Sequence, residues 1–154
     1  MPEPLTVRTS NSMALTLFCF MAHLESTGLI LYHMQIYKNW LLRNGLPYRE
    51  APFGLSFHYQ GGNFIIADNA DDSDYFQLIM PGIMDITGNK ARVLEVANTV
   101  NQEIKCVKCT IVGGDSVWLA TEILLDQTPE IDSIMPRLLA ILHGARLRFQ
   151  HEMR

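Results

Sequence analysis

Cys106 and Cys109 lie three residues apart in the stretch EIKCVKCTIVGGDSVWLATEILL. A C-x-x-C pair serves thiol-disulfide exchange when it opens a helix, and structural zinc when it sits in a turn. The surrounding residues argue for neither. Lys105 to Val112 is rich in β-branched residues and reads as a strand, with a helix before it. On a strand, residues three apart point to opposite faces, with Cα atoms about 10 Å apart, beyond the roughly 7 Å reach of a disulfide. This reading puts Cys106 beside Lys108 and Thr110. It puts Cys109 with Val107 and Ile111, facing Trp118 and Ala120 across a hairpin, an apolar setting for a packing thiol.

Other constellations are weaker. Cys19 and His23 share a helical face and complete a formal Cys3His set, yet the second pair lacks the turn that zinc requires. The acidic loop Asp68 to Asp74 misses three of five calcium-loop positions when read from Asp68. In PGIMDITGNKAR, Asn89 separates Gly88 from Lys90 and Ala91 replaces the hydroxyl residue, so the phosphate-loop spacing fails. Ser56 and His58 share a strand face but lack a third partner, and no G-x-S-x-G is present. Glu122 is expected to pair with Lys105 or Lys108 across the hairpin, as a structural carboxylate. No catalytic residue, metal ligand or cofactor is therefore expected.

The chain has 154 residues, 48% of them hydrophobic and 18% charged, with a formal charge of −4. That length suits one domain with a core needing no metal or disulfide. The acidic balance argues against a nucleic-acid partner. Three cysteines without scaffold spacing fit a reducing compartment. The apolar run Met13 to Leu24 is too short to span a membrane, and its flanks differ from those of a signal peptide.

The elements follow from periodicity. Residues 1–28 read as an N-terminal extension, and 29–154 as the domain. Leu29 to Arg43 forms an amphipathic helix on Tyr32, Ile36, Trp40 and Arg43, ended by Asn44-Gly45. Phe53, Leu55, Phe57 and Tyr59 alternate along a strand. A Gly61-Gly62 turn pairs Tyr59 with Phe64 and Phe57 with Ile66. YFQLIM is a third strand, ended by Pro81-Gly82. A second helix buries Val93, Ala97, Val100 and Ile104. A hairpin around Gly113-Gly114 follows. The last helix is capped by Thr128 and buries Ile131, Met135, Leu138, Leu142, Ala145 and Phe149. Pro136 either separates its first turn or kinks it. The expected class is α+β, an antiparallel sheet with helices packed on it, in the order α-β-β-β-α-β-β-α.

Several phrases carry a family resemblance: WLLRNGLPYREA, DDSDYFQLIMPGI, VANTVNQEIKCVKCTI, VWLATEILLD and IMPRLLAILHGARLRF, together spanning about Met34 to Phe149. The most specific is N-x-x-N-x-E-I-K, here Asn98, Asn101, Glu103, Ile104 and Lys105. The chain resembles the YbjN family, whose fold is like that of type III secretion chaperones. Residues 1–33 fall outside the match, and Met34 sits where a family member could begin. The resemblance implies a small, acidic, non-enzymatic cytoplasmic protein, often a homodimer. No catalytic residues carry over. Secretion chaperones hold an extended partner segment against apolar surface.

The expected function is a protein-interaction module, chaperone-like or regulatory. Its partner would be a protein or extended peptide segment bound at a strand edge or apolar groove, with no membrane role. Tyr59, Phe76 and Trp118 are the candidate contacts. The alternatives are a small-ligand sensor with a pocket between sheet and last helix, or a metal-binding protein.

Overall fold

The computed structural model describes residues 34–154. The expectations placed on Met13–Leu24, Cys19, His23, Leu29, Tyr32 and the boundary after residue 28 lie outside the described residues. The described part is α+β, as expected, with one strand more than the pattern reading found. Helix α1 covers 34–43. Four strands follow: β1 (Tyr48–Ala51), β2 (Gly54–Tyr59), β3 (Gly62–Ala67) and β4 (Tyr75–Asp85). Then come α2 (Lys90–Glu103), β5 (Val107–Val112), β6 (Ser116–Leu124) and α3 (Ile131–Glu152). All neighbouring strands are antiparallel, in the order β1-β2-β3-β4-β6-β5.

The additional strand, β1, holds Arg49 and Glu50 in its centre, so no apolar alternation announces it. Phe53, expected on the apolar face of β2, instead occupies the β1–β2 turn and is 58% exposed. Pro81-Gly82 does not end β4. The two residues lie in a bulge between Met80 and Met84, after which pairing with β6 resumes. A bulge absorbs proline, which cannot donate to a ladder, and Gly82 supplies the positive φ of 59°.

The three helices lie on one face. Phe76, Leu78 and Met80 of β4 and Val117, Leu119 and Thr121 of β6 are buried there. Helix α3 crosses them with the expected stripe, all six residues buried. It runs unbroken from Ile131, with Pro136 in its second turn. Its N-cap is Glu130, not Thr128, whose N–H instead donates to Asp126 Oδ1 at 3.1 Å. Helix α2 buries Val93, Val96, Ala97 and Val100 over β5, while Ile104 forms its C-cap. Helix α1 turns Met34, Tyr37, Trp40 and Leu41 inward, a stripe displaced from the expected one: Ile36 is half-buried and Arg43 exposed. The Tyr37 ring lies 5.0 Å from that of Phe76.

Candidate protein-binding surface

Among the described residues, the second face of the sheet carries no helix. Strand alternation sends every other residue to it. A lateral row crosses five strands: Ser56, Ile65, Ile79, Ala120 and Lys108 stand side by side on β2, β3, β4, β6 and β5. Trp118 lies next to this row on β6, opposite the β4 bulge, and its indole N–H donates to Ser116 Oγ at 3.1 Å. Ile65, Ile79, Trp118 and Ala120 are half-buried and do not pack against the helix-covered core. They form an apolar strip on a face whose other residues are mostly uncharged.

One end of the strip is bounded by a polar knot. Glu122 accepts hydrogen bonds from Lys108, Tyr75 and Gln77, the last at 3.0 Å. The cross-hairpin pairing with Lys108 is the expected one. Partial burial pushes the Glu122 carboxyl upward, but its donors and the Lys108 charge outweigh this and hold it below the usual carboxylate range. Partial burial and the Glu122 carboxylate push the Tyr75 phenol up.

The sequence-derived contacts separate in three directions. Trp118 belongs to the helix-free face. Tyr59 lies at the end of β2, half-buried, its ring edge-on to Phe64 at 6.4 Å. Phe76 is 2% exposed and is part of the core against Tyr37. The fold does not bring the three together. Ile65 and Ile79 were missed, although the alternation in NFIIA and FQLIM already marks them as lying on the face opposite Phe64, Ile66, Leu78 and Met80.

The cysteines also part company. Cys106 is not on the strand; it occupies the turn from α2 into β5 with φ of +62°, exposed. Cys109 is buried opposite Leu119, not Trp118, and burial pushes its thiol up to about 11. Asn101 of α2 grips its backbone: Asn101 Oδ1 accepts from Cys109 N–H at 2.7 Å, and Asn101 Nδ2 donates to Cys109 C=O at 3.2 Å. A side-chain amide thus replaces a neighbouring strand at the centre of the β5 edge. The opposite edge strand, β1, has four residues and two exposed charges, with Glu50 bound to Lys38 at 2.8 Å. Both edges are therefore poor templates for an added strand.

Among the described residues no group of three or more His, Cys, Asp or Glu side chains is placed to hold a metal. No described helix is long and apolar enough to cross a membrane. A cleft of about 910 Å³ opens at the end of the sheet where α3 begins.

No family profile and no curated protein matches the chain. Among solved structures, the fold is similar to that of YbjN from E. coli, described as a candidate transcription regulator. The TM-score is 0.55 at 10% identity, over 75% of this chain and 87% of that one. At that identity the likeness concerns the fold.

Proposed function

We propose that the chain is a non-enzymatic protein-interaction module, regulatory or chaperone-like, working in the cytoplasm without a cofactor. The observation that carries this reading is the sheet face that none of the described helices covers, with its strip Ile65, Ile79, Ala120 and Trp118. An apolar strip with polar and charged residues at its margins, here Lys108 and Glu122, is what the centre of a protein interface needs. The structural neighbour's description as a candidate transcription regulator is compatible with a regulatory role. With a formal charge of −4, such a role would run through protein contacts rather than direct binding to DNA. A second copy of the chain is one partner this face would suit.

The test is capture from the native host with wild-type protein and with Ile79→Lys. Circular dichroism establishes that the variant is folded, and sedimentation reports the oligomeric state of both. A partner, or a dimer, held by wild type and lost by folded Ile79→Lys supports the reading. Equal retention by both proteins removes the face from consideration. The end cleft favours a small-ligand sensor as the second reading. Thermal-shift screening against metabolites would support it by a saturable rise in Tm. Among the described residues the metal-binding reading has no comparable observation.

A further inference from the structure

The end cleft joins three separate stretches of chain. Helix α1 contributes Ile36 and Arg43, the β3–β4 loop contributes Asp74, and the β6–α3 connection contributes Leu125 and Asp126. Pro129 and Ile131 complete an apolar floor. Its volume of about 910 Å³ admits several side chains.

The charge around it is one-sided. The loop 68–74 holds four aspartates and the stretch 126–132 holds Asp126, Glu130 and Asp132. Four of these, Asp74, Asp126, Glu130 and Asp132, line the cleft itself. The facing cation is Arg43, and it is occupied by Asp132 at 2.9 Å. Glu130 and Asp132 stand at the start of α3, where the helix dipole favours carboxylates, so on their own they would need no ligand. Asp74 has no such reason, because it belongs to a different element. Its carbonyl accepts the Leu125 N–H at 2.7 Å, which locks the two acidic loops side by side. The outcome is a groove with an apolar floor and an acidic rim, in a position to steer and orient a cationic segment.

We propose that this groove receives a Lys- or Arg-bearing segment of a partner protein, apolar side chains on the floor and cations at the rim. The proposal rests on the protein-interaction reading above but uses a different surface, so the two fail separately.

The probe is an acetylated, amidated tetrapeptide of sequence RLLR, titrated into the full-length protein and followed by amide chemical shifts. ELLE and free 1,6-diaminohexane are the comparison ligands. Saturable shifts at Asn39, Ser73 and Gln127 are expected with RLLR. Binding should weaken at least about tenfold when salt rises from about 0.05 M to about 0.5 M. It should weaken by about as much in Asp74→Asn/Asp126→Asn, whose amides keep the loop hydrogen bonds. Ile79→Lys on the sheet face should leave the titration unchanged. Equal binding of ELLE, no loss in the double variant, or shifts centred elsewhere would overturn the proposal. Equal binding of the diamine would also overturn it, leaving a site for small cations instead of a docking groove.

Discussion

Two hairpins built from similar strands behave differently. The β2–β3 turn has two residues, Gln60 and Gly61, both with positive φ (45° and 73°), the backbone that matches strand twist. The β5–β6 turn has three, Gly113 to Asp115, joining Val112 to Ser116. Each turn is held by a helix cation: Arg146 Nη1 reaches Gly61 C=O at 2.9 Å, and Lys90 Nζ reaches Gly114 C=O at 3.2 Å. The first hairpin pairs Phe57 with Phe64, two residues from the register expected from a Gly61-Gly62 turn, yet every side chain stays on its expected face. In the second hairpin one extra loop residue puts Leu119 opposite Cys109 and sends Trp118 to the helix-free side. Strand side chains repeat every two residues, so an even slip preserves faces and an odd slip inverts them. The candidate surface exists because the second loop is odd.

The comparison can be broken most severely at the far end of the first hairpin. Gly54 has φ of +134°, and a Cβ there would collide with the Ile66 carbonyl oxygen. Gly54→Ala should cost roughly 3–5 kcal/mol and unpair β2 from β3, read by urea unfolding. The second hairpin depends on a side chain instead. Asn101→Ala leaves the Cys109 N–H and C=O without partners and should cost about 2 kcal/mol. In a Cys19→Ser background, wild type should expose Cys106 to maleimide and protect Cys109 until unfolding. Asn101→Ala should speed labelling of Cys109, and unchanged protection would deny Asn101 its role at the edge.

A smaller effect of opposite sign is expected on β6. Thr121 is fully buried on the helix-covered face and its hydroxyl has no hydrogen-bond partner among the described residues. Thr121→Val keeps the shape and should stabilise by about 1 kcal/mol, measured by chemical denaturation. The smallest effect concerns Glu122. Its carboxyl is held below the ordinary value of about 4.3, so its ionised form favours the folded state. That contribution is present at neutral pH and is lost as the pH falls through the lowered value. Glu122→Gln should therefore lose less stability than wild type on acidification below about pH 4. Parallel stability curves would show that the Tyr75–Gln77–Lys108 knot adds nothing.

The phrase N-x-x-N-x-E-I-K was the most specific sequence signal, and its Asn101, Glu103 and Ile104 prove architectural. Asn101 closes the β5 edge, and Glu103 holds Arg148 of α3 through bonds of 2.8 and 3.2 Å. The cleft was not legible. Ile36, Asp74 and Asp126 are far apart in sequence; Ile36 reads as part of an inward helix stripe and the two aspartates as ordinary loop residues.

The sequence by itself determined the α+β class, the inward stripe of α3, most of that of α2, and the apolar faces of β2 and β3. These depend on repeats of 3.6 and 2, which are local properties of the backbone. The tertiary structure decided what local periodicity does not contain. It set the loop parity that places Trp118, and it carried β4 through Pro81-Gly82, because pairing with β6 resumes beyond the bulge. It also decided which sheet face the helices cover. That choice turns Phe76 into core and leaves Ile65, Ile79 and Ala120 as a strip outside it, because burial is a property of the whole packing and not of any one strand.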